Sequence, residues 1–356
     1  MIRVLECALA AAVYLPLSGC GLQTATTAAT TSASSTAAPV TRSSSAPVPA
    51  QPKAVKSGEL ALITEPRQGV VPALEAIRGA RRRVDLVMYE LEDPQVEAAL
   101  AADEARGVPV RVLLSCGYYG ETSKANQPAF GYLAAHHVPV RWTSEHFAFT
   151  HQKTLVVDGT ADILTFNLTA QYYATSRDFG VIDTDRPDVA AIEQTFGEDW
   201  RGDHDTAPPT GDDLLWSPGA EHATESLINS AKHSLDIYNE EMAFKPVIAD
   251  IEAAARRGVH VRIVMTSSSE WDSAFAAEQA AGAQVHTFPD ATGALYIHAK
   301  MIGVDGREWF LGSQNFSTTS LERNRELGIV FTTRTLGRSL ERTFSTDFSN
   351  STAFSG

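Results

Sequence analysis

From about residue 59 onwards, apolar residues alternate between short continuous runs, typical of buried strands, and the wider spacing of amphipathic helices. This order occurs twice. A helix that ends near a basic residue is predicted within residues 76–91 and again within 227–242. In both places a β-rich run follows the helix and has Asp at its second position. Residues 102–114 and 252–265 each read as an Ala-rich helix that an Arg-Gly pair ends before a strand. The copies are 151 residues apart in both comparisons, so we predict an internal repeat.

Each copy is predicted to follow the order β-α-β-α-β-β-α. Strands that alternate with helices favour an α/β fold, here with a mixed sheet flanked by helices in each of two similar halves. A Pro-, Gly- and Asp-rich stretch at 202–213 separates the copies. We therefore predict an N-terminal half at 59–205 and a C-terminal half at 206–349, related by a pseudo-two-fold axis. Residues 344–356 are expected to fray after a final helix.

Residues 1–20 have the pattern of a secretory leader, with an apolar region that ends at Leu17 and is short for a membrane span. Residues 17–20, Leu-Ser-Gly-Cys, resemble the lipobox of bacterial lipoproteins. The resemblance implies that Cys20 becomes the lipidated first residue and anchors the protein at the cell envelope, outside the cytoplasmic membrane. The alternative is an ordinary cleaved signal that happens to end in a cysteine.

The segment 21–57 consists almost entirely of Ala, Thr, Ser, Pro and Gln. Such a segment has too little hydrophobic mass to offset the entropy lost on ordering, so we predict a flexible tether. Behind a lipidated cysteine, this tether would hold the folded part close to the membrane.

One polar motif also occurs in both copies, at positions 147 residues apart. We predict its six members to be catalytic: they are His151, Lys153 and Asp158 in the first copy, and His298, Lys300 and Asp305 in the second. In a strand, His and Lys two residues apart lie on the same face. The Asp-Gly pair that follows is a common hairpin signal.

The strand that returns from each hairpin carries further polar residues. In the second copy it delivers Gly312, Ser313 and Asn315 towards the end where the histidine lies. The first copy is one residue shorter and has Phe166 where the second has a serine, but Asn167 aligns with Asn315. We predict Asn167, Ser313 and Asn315 as substrate-binding residues.

Phosphodiester transfer needs a nucleophile, a proton donor for the leaving oxygen and positive charge around the phosphoryl oxygens. One imidazole can attack phosphorus, while a second protonates the leaving oxygen and then activates the acceptor. Two lysines with nearby amide donors can hold the negative charge in place of a metal. One copy of the motif supplies half of this set, so we predict one site between the halves, with neither a metal nor a cofactor.

The paired motifs resemble the HKD motifs of the phospholipase D superfamily. The resemblance covers roughly residues 59–349 and implies an α-β-α-β-α sandwich with a two-step, metal-independent reaction through a phosphohistidine. It implies His151 as the nucleophile and His298 as the general acid and base. The residues alone leave four carboxylates open as orienting partners of the histidines, and the resemblance favours Asp178 and Glu326. The pairs at 89–90 and 239–240 end equivalent strands and are candidates to line the site; a solvated charge is the alternative for Glu90.

These observations predict a lipid-anchored phosphodiesterase of phospholipase D type that hydrolyses the head-group bond of a phospholipid, giving phosphatidic acid and an alcohol. We expect a monomer with an internal pseudo-dimer. The formal net charge of −14 disfavours a basic groove for nucleic acid. Three alternatives stay open: a nuclease of the same superfamily, a phosphatidyltransferase like cardiolipin synthase, and a non-catalytic lipoprotein that binds head groups.

Overall fold

The structure, a computed structural model, describes residues 59–117, 123–204 and 207–356, together with the backbone of 55–57. The predicted leader, Cys20 and the tether as far as residue 54 lie outside the described residues. Among the helices described, none is long and apolar enough to cross a membrane.

The described residues of the N-terminal half form eleven strands and four helices. In chain order they are β1 (Val55–Ser57), β2 (Leu60–Thr64), α1 (Val71–Gly79), β3 (Val84–Met88), β4 (Leu91–Glu92), α2 (Pro94–Ala105), β5 (Val110–Leu114), α3 (Gln127–Ala135), β6 (Val140–Trp142), β7 (Thr154–Val157), β8 (Thr160–Leu164), β9 (Leu168–Thr169), β10 (Ser176–Arg177), β11 (Phe179–Asp183) and α4 (Arg186–Arg201).

The C-terminal half repeats this order with small differences. Its elements are β12 (Leu214–Ser217), α5 (Glu221–Ser230), β13 (Ser234–Tyr238), α6 (Lys245–Arg256), β14 (His260–Thr266), α7 (Asp272–Ala281), β15 (Gln284–Phe288), β16 (Tyr296–Ile297), β17 (Lys300–Val304), β18 (Glu308–Gly312), α8 (Thr318–Glu322), β19 (Glu326–Phe331), α9 (Arg334–Asn350) and β20 (Thr352–Ala353).

Sixteen of the strands form two eight-stranded mixed sheets, one in each half, and the other four form two parallel pairs, β4 with β9 and β10 with β16. The first has the order β1-β2-β11-β8-β7-β3-β5-β6, and the second β12-β19-β18-β17-β13-β14-β15-β20. In each sheet three neighbours are parallel, β3-β5-β6 and β13-β14-β15, and the other pairs are antiparallel. The predicted α/β fold with two similar halves is confirmed. The order predicted for each half omitted the helix-strand unit α3–β6 or α7–β15 and also further strands that the sheet of each half contains.

Three apolar cores separate the layers. One core lies between the first sheet and α1 to α3, and another between the second sheet and α5 to α7. The third contains apolar residues of both sheets together with residues of α4 and α9. The two halves therefore share a buried central layer.

The Asp at the second place of each repeated strand is explained by a salt bridge to the next parallel strand. Asp85 of β3 lies opposite Arg111 of β5 and accepts two hydrogen bonds of 2.8 Å from its guanidinium. Asp236 of β13 accepts two such bonds from Arg262 of β14, at 2.8 and 2.7 Å. The repeat seen in the sequence thus encodes the same buried ion pair in both sheets.

Two predicted boundaries are wrong by a few residues, because backbone pairing extends further than the composition suggests. Val55–Ser57, assigned to the tether, pair as β1 with β2. The C-terminal end does not fray after 349: Phe344 is buried within α9, and β20 pairs with β15. The folded part of the C-terminal half therefore continues to Ala353.

A buried arginine from each half lies next to the contact between the halves. Arg177 of β10 forms a two-point salt bridge with Asp347 of α9, with N–O distances of 2.6 and 3.0 Å. Asp347 also accepts a hydrogen bond of 2.6 Å from the hydroxyl of Tyr238. At the equivalent place, Arg325 donates to Asp199 of α4 at 2.9 Å. Asp347 therefore joins the N-terminal half to the C-terminal half.

We expect Asp347→Asn to lower the free energy of unfolding by about 3–5 kcal/mol, since it leaves the buried Arg177 without its counter-charge. Denaturant unfolding measures the change. The matched control is Glu252→Gln, which breaks an exposed pair with Arg256 and should change stability by less than about 0.5 kcal/mol. Equal effects of the two substitutions would contradict the role given to Asp347.

Candidate active site

Both motif histidines are held by the backbone of the opposite half. The N–H groups of His151 and of the next residue donate to the carbonyl of Arg325 at 2.9 and 3.0 Å. Those of His298 and of its next residue donate to the carbonyl of Arg177 at 3.2 and 2.9 Å. Each motif therefore begins at a contact between the halves, where the sequence places the site.

Glu326 of β19 orients the ring of His151. Its Oε2 atom lies 2.9 Å from Nδ1 of His151, and the carbonyl of Ser313 lies 3.1 Å from the same nitrogen. The other carboxylate oxygen accepts hydrogen bonds from Ser320 at 2.6 Å and Asn324 at 2.9 Å. Two acceptors at Nδ1 place the ring hydrogen there and leave the lone pair on Nε2.

Asp178, which follows β10, takes the same position beside His298. Its Oδ1 atom lies 2.9 Å from Nδ1 of His298 and accepts a hydrogen bond of 2.6 Å from the hydroxyl of Thr165. Asp178 belongs to the N-terminal half and His298 to the C-terminal half. Each histidine is thus oriented by a carboxylate of the other half, the pairing that the family resemblance favoured.

The two lysines lie within the same site. Nζ of Lys153 donates to the carbonyl of His151 at 2.7 Å, and Nζ of Lys300 donates to the carbonyl of His298 at 2.6 Å. Both side chains are buried. Burial, and then the nearby charge of Lys300, lowers the pKa of Lys153 to about 7. The charge of Lys300 thus acts on Lys153, and the negative charge of a phosphoryl group would offset the repulsion between the two lysines.

The electrostatics of His151 suit a nucleophile. Burial, and then the charge of Lys153, lowers its pKa to about 4, so the ring is neutral at neutral pH. Burial acts to raise the pKa of Glu326, but His151, its hydrogen bonds and Lys153 hold it below its usual value. A neutral imidazole next to an ionised carboxylate has a free lone pair on Nε2 and a fixed orientation.

Asn167 and Asn315 occupy equivalent positions, each beside a glutamate. Nδ2 of Asn167 lies 3.5 Å from Glu90, and Nδ2 of Asn315 lies 3.1 Å from Glu241. The Oδ1 atoms of both asparagines are buried without a partner in the structure. The two predicted amide donors are therefore brought to the site, together with two glutamates.

Ser313 does not offer its hydroxyl to a substrate. The side chain is buried, and its oxygen donates to the carbonyl of Leu327 at 3.4 Å and accepts from the N–H of Leu327 at 3.2 Å. The predicted substrate-binding role of Ser313 is corrected, because β19 already uses the hydroxyl. Its carbonyl, by contrast, contacts His151.

Asp158 and Asp305, the third members of the two motifs, lie in the hairpin turns at the far ends of β7 and β17. Asp158 accepts hydrogen bonds from the N–H groups of residues 81–83, and Asp305 from those of residues 232–234. Each aspartate lies five positions after its lysine along the strand, which is about 16 Å at the usual rise. The catalytic role predicted for these two aspartates is corrected: they join each hairpin to the turn before β3 or β13.

Asp158→Asn is expected to lower the free energy of unfolding by about 1–3 kcal/mol and to leave kcat unchanged. Three N–H groups now donate to the two carboxylate oxygens of Asp158. The side-chain amide of asparagine has no negative charge and only one acceptor oxygen, so it cannot replace all of these bonds. Denaturant unfolding and steady-state kinetics on the same preparation check both expectations. Asp305→Asn is the matched second variant. A loss of kcat beyond 10-fold in folded protein would restore a catalytic role.

The sequence did not single out several residues that complete the site. Thr165 donates a hydrogen bond to Asp178, and Asn324 donates one to Glu326. The hydroxyl of Ser320 donates to Glu326 and accepts from the N–H of Asn315 at 2.7 Å. Tyr296 donates its hydroxyl to Glu240 at 2.8 Å. These residues lie on loops and short elements outside the repeated motifs. The available signals were the closeness of Ser320 and Asn324 to Glu326 along the chain and that of Tyr296 to His298.

A family model described as "Cardiolipin synthase, PLD-like domain" matches residues 73–200 and 225–348, one match in each half. The chain belongs to the phospholipase D superfamily. The two matched segments begin and end within the two halves defined by the sheets. The superfamily's paired HKD motifs thus correspond to the two structural repeats.

Individual proteins of this superfamily are similar to the chain. Cardiolipin synthase A of Pseudomonas fluorescens (strain SBW25) is 26% identical, over 77% of this chain and 65% of the relative. Mitochondrial cardiolipin hydrolase of Xenopus tropicalis is 32% identical, over 34% of this chain and 56% of the relative. The chain thus spans less than two thirds of either relative. In fold, the chain resembles the crystal structure of phosphatidylserine synthase from Haemophilus influenzae Rd KW20 (TM-score 0.65, 13% identity, 83% of this chain and 87% of that one).

For a superfamily member with these charges, we expect kcat/KM to be greatest between about pH 4 and about pH 7. Below this range His151 gains a proton and loses its lone pair, and above it Lys153 loses the charge that attracts the phosphoryl group. A bound phosphoryl group stabilises the charged form of Lys153. The decline of kcat with rising pH should therefore occur at a higher pH than the decline of kcat/KM.

The pH profile of Lys153→Arg tests this assignment, since a guanidinium stays charged throughout. The alkaline limb of kcat/KM near pH 7 should disappear in this variant even if the rate falls. Persistence of that limb would show that another group causes it.

Proposed function

We propose that this protein transfers the phosphatidyl group of a phospholipid to an alcohol through a phosphohistidine at His151, with water as the competing acceptor. The observation that carries the proposal is the pair of histidines, each oriented at Nδ1 by a carboxylate of the opposite half. Two equally oriented rings that meet at one interface supply a nucleophile and a proton carrier together.

In the first step, Nε2 of His151 attacks phosphorus and the bond to the head-group oxygen breaks. The electron pair of that bond leaves with the oxygen, which takes a proton from Nε2 of His298. Lys153, Lys300 and Asn167 hold the charge on the non-bridging oxygens. The products are a free alcohol and a phosphatidyl group bonded to His151.

In the second step, an acceptor hydroxyl loses its proton to Nε2 of His298 and attacks phosphorus. The bond between phosphorus and His151 breaks, and the lone pair returns to the imidazole. An alcohol gives a new phospholipid, and water gives phosphatidic acid. Both outcomes use the same residues, so the partition depends on which hydroxyl reaches the intermediate.

A lipid substrate and an alcohol acceptor are both favoured by the names of the related proteins. Both relatives are named for cardiolipin, one as a synthase and one as a hydrolase, and the structural neighbour is a synthase, so two of the three names are those of synthases. These names move our preference from the hydrolysis expected from the sequence to transfer. Tyr172 and Tyr296, with 49% and 36% of their surface exposed, precede β10 and lie in β16. Amphipathic tyrosines near a site suit the interface of a lipid surface.

Attachment of the protein to the outer face of the cytoplasmic membrane through Cys20 is a further part of the proposal. Cys20 lies outside the described residues, so only its sequence context supports lipidation. A lipidated tether would keep the site within reach of lipid head groups.

The experiment uses the full chain in mixed vesicles of phosphatidylcholine and phosphatidylglycerol, with added deuterated glycerol, in the presence and in the absence of EDTA. Mass spectrometry of the lipids measures the ratio of transfer products to phosphatidic acid. We expect transfer products to exceed phosphatidic acid, with no effect of the chelator and no product from His151→Ala. Phosphatidic acid alone would make the protein a hydrolase, and no lipid product at all would overturn the proposal.

A further inference from the structure

The two halves of the site differ at one pair of equivalent positions, Tyr89 and Glu240. Asp85 of β3 and Asp236 of β13, which form equivalent salt bridges, correspond with an offset of 151 residues, and the same offset relates Leu91 to Met242. Leu91 pairs with Leu168, and Met242 pairs with Phe316 in the same parallel manner. Between these fixed points, Tyr89 of the N-terminal half corresponds to Glu240 of the C-terminal half.

Glu240 contacts the groups that would receive substrate in the C-terminal half. Its Oε2 atom lies 2.9 Å from Nζ of Lys300, 3.3 Å from Nδ2 of Asn315 and 3.6 Å from Nε2 of His298. Its Oε1 atom accepts from Tyr296 at 2.8 Å. Burial acts to raise the pKa of Glu240, but Lys300 and then His298 hold it well below its usual value. An ionised carboxylate therefore lies beside His298 and Lys300.

Tyr89 gives the N-terminal half a different environment. Its ring meets that of His151 edge-on, with centroids 4.7 Å apart, and lies 5.2 Å from Nζ of Lys153. An aromatic ring brings no negative charge to His151 and does not occupy the hydrogen-bonding capacity of Lys153. Both histidines therefore have a carboxylate at Nδ1. They differ in that a second carboxylate lies near Nε2 of His298, whereas an aromatic ring lies beside His151.

We propose that Glu240 is a positioning residue that makes the pseudo-symmetric site directional: its carboxylate faces Nε2 of His298, where it orients the hydrogen that the leaving oxygen takes, and it leaves the phosphoryl group to the His151 side. This inference rests on the proposed function. Opposite charge close to a protonated imidazole stabilises it. Glu240 also binds Lys300 and Asn315, whereas Lys153 donates to the carbonyl of His151 and has two further N–H donors for the phosphoryl oxygens.

The proposal concerns one proton in the first step. A protonated ring at His298 gives its Nε2 hydrogen to the head-group oxygen as the phosphorus–oxygen bond breaks, and the neutral ring remains paired with Asp178. Glu240 itself neither gains nor loses a proton. Its effect should therefore depend on whether the leaving group needs a proton at all.

The test compares two soluble short-chain lipids, phosphatidylcholine and phosphatidyl-p-nitrophenol, in the full chain and in Glu240→Gln. Choline leaves as an alkoxide that needs a proton, while p-nitrophenolate is stable without one. We expect Glu240→Gln to slow release of choline by about 10–100-fold and release of p-nitrophenol by less than 3-fold. The ratio of the two rates is measured on one preparation, so a smaller folded fraction cannot change it.

Glu241→Gln is the matched control, because Glu241 contacts Asn315 from the next position in the chain. Its ratio of the two rates should equal that of the parent. Equal losses on both substrates in Glu240→Gln would overturn the inference, and so would faster release of both, which would mean that the carboxylate competes with phosphate. If the parent released neither alcohol, the proposed function would fail together with the inference.

Discussion

His151→Ala is expected to abolish turnover, lowering kcat by at least about 10⁴-fold on every phosphodiester substrate. The variant lacks the atom that bonds to phosphorus, so a better leaving group cannot restore the reaction. Because Lys153, Lys300 and Asn167 remain, substrate should still bind. Steady-state rates with short-chain phosphatidylcholine and phosphatidyl-p-nitrophenol measure the loss.

The control for His151→Ala is its thermal unfolding. The ring is buried between Glu326 and Tyr89, so its removal leaves a cavity and a carboxylate with one partner fewer. His151→Gln retains a polar side chain there and should be equally inactive. Release of p-nitrophenol within 100-fold of the parent rate by either folded variant would exclude His151 as the nucleophile.

His298→Ala is expected to separate the two steps. Release of choline should fall by about 10²–10⁴-fold, since no proton reaches the leaving oxygen. Release of p-nitrophenol should instead show one rapid turnover per site and then stop, because the second step lacks the base that activates the acceptor. Stopped-flow absorbance measures the burst and the steady state in a single experiment.

The amplitude of the burst gives the fraction of competent sites and so serves as the internal control. The parent should show continuous release under the same conditions. If His298→Ala releases p-nitrophenol continuously at the parent rate, His298 does not act in the second step. A complete absence of the burst in folded protein would place His298, and not His151, at phosphorus.

Most of the fold could be predicted from the sequence, because the duplication repeats residues that mark equivalent strands and helix ends. Asp85 and Asp236 marked equivalent strands, and the Arg-Gly pairs marked the ends of equivalent helices. The added units α3–β6 and α7–β15 were missed, since their strands are short or half-polar and show no clear alternation. The pairing of Val55–Ser57 depends on β2 and has no local signal.

The sequence predicted the site residues whose type alone suggests their chemistry. It did not predict the roles that depend on where a residue lies in the fold. His151, His298 and the two lysines meet at the interface, but the aspartates of the same motifs lie at the opposite strand ends and hold turns. A motif spacing records residues that recur together and does not distinguish a reacting group from a structural one. Glu240 carries no such spacing, and only the comparison of the two halves shows that it replaces a tyrosine.

The most direct test of the account is to locate the covalent intermediate in His298→Ala. The variant is mixed with short-chain phosphatidyl-p-nitrophenol, quenched in base and digested, and the peptides are examined by mass spectrometry. We expect one added phosphatidyl group per burst equivalent, on the peptide that contains His151. An adduct on another residue, or a burst without any adduct, would contradict the two-histidine mechanism.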